Sequence, residues 1–222
     1  MSLKVGIVRF PGANCDYDAW KAVEHGKGQA HWLWQTDYFD PSAYDAILVP
    51  GGFSFGDYLR AGALAARSAV MKSVKEASLK GVPVLGICNG FQILCEAGLL
   101  PGALVKNEGL RFLDQWSSLT LKNKNKFWAA DYLEGTEISL PIAHGEGRFY
   151  LEEDEVKKLY DSNQVWWTYR KNPNGSVSDI AGVSNKEGNV CALMPHPERA
   201  MAPWMGGDLG AKFFASFAGG SL

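Results

Sequence analysis

A chain of 222 residues with 46% hydrophobic and 21% charged residues has enough apolar material for a well-buried core, which excludes a disordered protein. Its 22 Lys and Arg against 24 Asp and Glu leave a formal charge of −2 with no basic block, which argues against a nucleic-acid partner. No apolar run reaches bilayer length and Met1-Ser2-Leu3-Lys4 lacks signal-peptide character, so no membrane partner and a cytoplasmic location are expected.

The first half alternates strand and helix patterns. Lys4–Phe10 reads as a strand and Asp16–His25 as a helix stopped by Gly26. Ala30–Trp34 is a second strand, Pro41-Ser42 a turn and Ala46–Val49 a third strand. Ala63–Lys80 carries Leu64, Val70, Met71, Val74 and Ala77 at helical spacing, and Gly81 ends it. Val82–Ile87 is a fourth strand, followed directly by a helix over Asn89–Gly98. This βαβ rhythm predicts parallel strands with helices on both faces. The second half changes character. Leu119–Leu121, Ile138–Ile142, Val165–Arg170, Asp179–Ser184 and Val190–Met194 are short strands, with hairpin-like connections at Asn172–Gly175 and Asn185–Gly188. Asp154–Tyr160 and Gly210–Phe217 read as helices. Of the adjacent Trp166 and Trp167, alternation along a strand turns one away from the core, free to meet a partner. The fold class expected is α/β: an open mixed sheet, mostly parallel, in one domain over residues 1–222.

The most informative stretch is Gly86-Ile87-Cys88-Asn89-Gly90. An apolar strand ends there and a helix begins at once. Such a turn lifts one side chain clear of the sheet at a helix N-terminus, and the flanking glycines remove the β-carbons that would crowd it. The residue so placed is a thiol, where free N–H groups and the helix dipole favour the nucleophilic thiolate. Cys95 and Cys191, inside apolar runs, read as small buried hydrophobes. Gly52-Phe53-Ser54-Phe55-Gly56 also fits G-x-S-x-G, but Ser54 lies too far beyond the strand that stops near Pro50. That loop reads better as a donor surface, with the Gly52 N–H joining the Asn89 N–H as an oxyanion hole; a plain tight turn is the competing reading.

A base is available in Pro195-His196-Pro197-Glu198. The two prolines restrict the backbone around His196, and Glu198 falls on the same side in an extended segment, placed to orient the imidazole. Cysteine, histidine and carboxylate are the parts for acyl transfer through a thioester. Gln92 lies one turn beyond Cys88 on the same helical face. His144-Gly145-Glu146 sits in a polar loop at a strand end, where binding residues collect. The four cysteines, Cys15 among them, show no CxxC pairing, and the histidines lack ligand spacing with them, so free thiols and no metal are expected.

These residues resemble the class I, triad-type glutamine amidotransferases: Gly86–Gln92, His196–Glu198 and the Pro50-Gly51-Gly52 loop. Phe10–Asp16, Gly51–Asp57, Ala143–Arg148 and Met194–Arg199 are similar to the separate glutaminase subunits of phosphoribosylformylglycinamidine synthase. The resemblance covers the chain from the first strand to about residue 201. It implies glutamine hydrolysis by Cys88, His196 and Glu198, with Gly52 and Asn89 as oxyanion donors. Gly51, Gln92, His144, Gly145 and Glu146 would lie near glutamine or a partner. It also implies no cofactor in this chain, since ATP and magnesium belong to a synthetase subunit that a small assembly subunit helps dock. Another class I glutaminase or a γ-glutamyl hydrolase shares this chemistry, and a thiol-bearing α/β binding or chaperone module stays open as the non-enzymatic alternative. Leu110–Glu137 bears no family mark and is assigned no function.

Overall fold

The structure, a computed structural model, describes residues 2–215. Its elements run β1 (Lys4–Arg9), α1 (Asp16–His25), β2 (Gln29–Trp34), β3 (Ala46–Val49), α2 (Ala69–Leu79), β4 (Val84–Ile87), α3 (Asn89–Glu96), β5 (Ala103–Val105), β6 (Leu113–Leu121) and β7 (Glu137–His144). They continue with β8 (Arg148–Tyr150), α4 (Glu153–Asp161), β9 (Val165–Tyr169), β10 (Ile180–Ser184) and β11 (Val190–Leu193). Nine strands form one sheet in the order β2-β1-β3-β4-β11-β10-β9-β6-β7, and β5 pairs with β8 outside it. The strands β2, β1, β3, β4 and β11 are parallel. Beyond β11 every pairing is antiparallel. The sheet is therefore mixed and mostly parallel, as the alternating pattern predicts.

The central strands explain themselves. Ala46–Val49, Val84–Ile87 and Val190–Leu193 are buried at every position, the pattern of strands covered on both faces. Each fully buried Val, Leu or Ile side chain contributes about 1.5–3 kcal/mol. The connection β1-α1-β2 runs one way along the sheet and β3-α2-β4 the other. Right-handed crossovers then put α1 and α2 on opposite faces. The order reverses at β1 and β3, and crevices form outside the carboxyl ends of strands at such a switch point.

Several expectations change in detail. The helix expected over Ala63–Lys80 starts only at Ala69, because Ser68 is extended (φ −68°, ψ 163°) and a 3-10 turn over Ala65–Arg67 precedes it. Pro41–Ala43 is likewise a 3-10 turn. The strand read at Leu119–Leu121 begins at Leu113, since its outer half is exposed and carries a weaker apolar signal. The short pair β5 and β8 carries no sequence signal. In place of a helix from Gly210, Leu209–Phe213 forms a 3-10 turn, and Ser216 and Phe217 lie outside the described residues. Both Trp166 and Trp167 are buried, correcting the expectation of an outward ring. Phe213 sits 5.7 Å from each ring, and Tyr132 packs edge-on against Trp167.

Candidate active site

The reactive groups and the donor loop of the site leave the carboxyl ends of parallel strands. The loop after β1 brings Cys15, that after β3 brings Gly51 and Gly52, the β4 turn brings Cys88, and His196 follows β11. Cys88 has φ 51° and ψ −105°, a strained conformation that costs on the order of 1–3 kcal/mol. The glycines on either side permit it. A Cβ at Gly90 would collide with the Val49 carbonyl oxygen, and one at Gly86 would lie 2.9 Å from the Gly90 carbonyl carbon. Cys88 caps α3, and its Sγ lies 3.8 Å from the Ala143 carbonyl oxygen.

Cys88 and His196, distant in sequence, meet across Gly51. A Cβ built on Gly51 would lie 2.9 Å from His196 Cε1 and 3.4 Å from Cys88 Cβ. His196 Nδ1–H donates to Glu198 Oε1 at 2.6 Å, with both side chains buried. The carboxylate thus fixes the tautomer and leaves Nε2, buried and without a hydrogen-bond partner among the described residues, for the reacting side. Burial opposes charge on this ring. The adjacent Glu198 carboxylate, then the sulfurs of Cys88 and Cys15, outweigh it and hold the imidazole well above its ordinary pKa. Pro197–Arg199 is a 3-10 turn, so the pairing does not arise from the extended segment expected. The turn is anchored from outside. Arg199 Nε donates to Asp18 Oδ2 at 3.0 Å, and Arg199 Nη2 to Cys15 Sγ at 3.1 Å.

The Gly52 and Asn89 N–H groups make no backbone hydrogen bond among the described residues. Gly52 has φ +135°, and a Cβ there would come within 2.6 Å of the Asn14 nitrogen. The loop after β3 is pinned by Phe53 N–H to the Gly12 carbonyl (3.2 Å) and Phe55 N–H to the Pro11 carbonyl (2.7 Å). Ser54 is buried and its N–H donates to Asn89 Oδ1 at 3.2 Å, a structural place consistent with its rejection as nucleophile.

Beside Cys88 opens a cleft of about 220 Å³, walled by Gly52, Asp57, Gln92, His144, Gly145 and Glu146. A smaller lobe of about 110 Å³ continues past Cys88 toward Cys15, His196 and Arg199. Gly51 is buried beneath the thiol and the imidazole and is absent from either wall. Gln92 reaches the cleft with its amide already engaged. Its Oε1 accepts from Asn89 Nδ2 at 2.8 Å and its Nε2 donates to the Glu146 carbonyl at 2.7 Å. It therefore braces the elbow helix against the loop after β7. His144 Nδ1–H donates to Asn107 Oδ1 at 3.2 Å, leaving Nε2 buried and without a hydrogen-bond partner among the described residues. Burial, with the nearby charge of His196, lowers its pKa to about 4.

Sequence reasoning missed Asp57, Phe53 and Phe112 as cleft residues, and Cys15 and Arg199 in the inner lobe. Burial and the charge of Glu146 push the Asp57 carboxyl up to about 6. Asp57 closes a segment whose resemblance was noted, which was signal enough. Phe112 falls in the stretch assigned no function, and nothing in the sequence marks it.

The chain matches the family described as CobB/CobQ-like glutamine amidotransferase domain over residues 2–211. It is similar to PurLQS from Thermotoga maritima at 41% identity, over 99% of each chain and with a TM-score of 0.90. A glutamine amidotransferase from Thermotoga maritima shares the fold at 17% identity and TM-score 0.61, over 90% of this chain and 78% of that one. So does the CTPS glutaminase domain from Trypanosoma brucei with bound acivicin, at 14% identity and TM-score 0.62, over 100% and 95%. With a thiol at a strand-to-helix elbow facing a carboxylate-held imidazole, the chain belongs to the CobB/CobQ-like family of glutamine amidotransferase domains.

Proposed function

We propose that this chain is the glutaminase subunit of phosphoribosylformylglycinamidine synthase and releases ammonia from glutamine through a thioester on Cys88. The observation that carries the chemistry is the His196–Glu198 pair at 2.6 Å with Nε2 left unpartnered beside the elbow cysteine. Cys88 sulfur attacks the γ-carboxamide carbon, and the carbonyl oxygen takes up negative charge between the Gly52 and Asn89 N–H groups. The tetrahedral adduct collapses as His196 Nε2–H protonates the departing nitrogen, and ammonia leaves. The raised pKa of His196 favours the protonated ring this step needs. Water then gives a proton to Nε2 and attacks the thioester, releasing glutamate and the thiol.

Asp57 and Glu146 make the outer cleft negative, which suits the α-ammonium of glutamine. His144, Gly145 and Gln92 shape the same wall. None of these steps calls for a metal or organic cofactor in this chain. ATP and magnesium act on the synthetase subunit, which aminates formylglycinamide ribonucleotide with the ammonia, and a small third subunit assists assembly. The likeness to PurLQS over nearly the whole of both chains supports this partner set.

Cys88→Ala in the reconstituted complex is expected to lower glutamine-dependent amination by about 10⁴-fold or more and to spare ammonia-dependent amination. Normal glutamine turnover by that variant would overturn the mechanism. Wild-type glutaminase activity that only a different synthetase elicits would overturn the partner.

A further inference from the structure

The inner lobe holds a second thiol that glutamine hydrolysis does not use. Cys15 is buried at the N-terminus of α1, as Cys88 is at that of α3. Ligand atoms of Cys15, His196 and Glu198 all lie within 4.8 Å of one another. A Cβ on Gly51 would stand 3.3 Å from Cys15 Sγ, 2.9 Å from His196 Cε1 and 3.4 Å from Cys88 Cβ, so three side chains converge on a space that glycine keeps open. His196 Nε2 is buried there without a hydrogen-bond partner among the described residues, and its Nδ1–H is held by a carboxylate. Imidazoles that ligate zinc are held in this way, by a carboxylate on the far ring nitrogen.

We propose that Cys15 Sγ, Cys88 Sγ and His196 Nε2 form a Zn²⁺ site that switches the nucleophile off, with Glu198 behind the imidazole rather than on the metal. Two thiolates and one imidazole suit this borderline-soft ion and leave a fourth position for water. Zinc ligands lie roughly 3.5 Å apart, given bonds of about 2.3 Å to sulfur and 2.0 Å to nitrogen. Cys88 Sγ stands outside the mutual 4.8 Å set of Cys15, His196 and Glu198, so closing the site requires rotation of the two short thiol side chains. Arg199 Nη2, 3.1 Å from Cys15 Sγ, balances charge. With the ion neutralised by two thiolates, Arg199 is shared between Glu198 and Asp18, which leaves the cluster one negative charge. Binding displaces protons from the thiols and from His196, so the ion is held more tightly as pH rises. The ion occupies nucleophile and base together, which stops the reaction. Binding does not depend on the proposed function; only the inhibition does.

The test uses Co²⁺ as a spectroscopic stand-in on the purified, reduced chain. One equivalent is expected to give a thiolate-to-cobalt charge-transfer band that Zn²⁺ abolishes. Cys15→Ser and Cys88→Ser should each at least halve that band while circular dichroism stays native. In the reconstituted complex, Cys15→Ser should raise the half-inhibitory Zn²⁺ concentration, read against that variant's own zinc-free rate, at least tenfold. No band in the wild type, or a band unchanged in Cys15→Ser, overturns the site. Equal zinc sensitivity of wild type and Cys15→Ser overturns its role in inhibition, and a complex without glutaminase activity that still shows the band overturns the proposed function alone.

Discussion

The two halves of the sheet do different work. The parallel half, β2-β1-β3-β4-β11, delivers the thiol, the imidazole and the donor loop from the carboxyl ends of its strands. The antiparallel half, β10-β9-β6-β7, supplies one wall: His144 and Glu146 from the end of β7 and Phe112 from just before β6. Parallel strands all point their carboxyl ends one way, so residues far apart in sequence arrive at one edge. Antiparallel strands contribute at that edge only from alternate ends. The lesson is that reactivity is concentrated in the first architecture and substrate fit is added by the second.

The largest expected effect lies in the parallel half. His196→Ala should reduce glutamine-dependent turnover by about 10⁴-fold, with ammonia-dependent amination intact. A loss under tenfold would move the base elsewhere and break the division. Next is Gly90→Ala, whose Cβ strikes the Val49 carbonyl oxygen. It should destabilise the fold by about 1–3 kcal/mol in denaturant melts and misplace the thiol, while an unchanged melt would show that the elbow relaxes freely.

Asp57→Asn probes the seam between the halves. The folded carboxyl titrates at about 6 rather than near its ordinary 3.8, so its charge is unfavourable in the native state above pH 6. That burden is lifted as pH falls through 6 toward 4. Asp57→Asn should therefore stabilise the free protein by about 1 kcal/mol at pH 8, a figure discounted for solvent screening, and make no difference below pH 4. The same variant should raise the glutamine KM about tenfold if the carboxylate meets the α-ammonium, with little change in kcat. A lower melting temperature at pH 8 would contradict the sign. Smallest is Glu137→Gln in the antiparallel half, which removes an exposed ion pair with Arg170 at 2.6 Å. Stability should stay within about 0.5 kcal/mol and turnover should not move.

The legible part of the molecule was the part written in local pattern. Apolar runs ending in Gly86-Ile87-Cys88-Asn89-Gly90 mark a strand, an elbow and a helix within a dozen residues, and the β1-to-β4 rhythm follows the same logic. The pairing of His196 with Glu198 was also local, although a 3-10 turn brings it about. What escaped depends on contacts across the fold. Ser68 breaks a helix that apolar spacing alone carries through. Trp166 and Trp167 are both buried because Phe213 and Tyr132 pack against them from distant segments. Cys15 and His196 have no sequence spacing that announces their approach, and Phe112 enters the cleft from a strand whose start is exposed and poorly patterned.

The absence of a side chain at position 90 has a mechanical meaning. There the elbow helix rests its main chain directly on the last carbonyl of β3, one residue before the Pro50-Gly51-Gly52 loop. No rotatable group intervenes, so thermal rotamer hopping cannot vary the spacing between sulfur and donor loop. The two behave as a single welded joint, and any partner that shifts one must carry the other along.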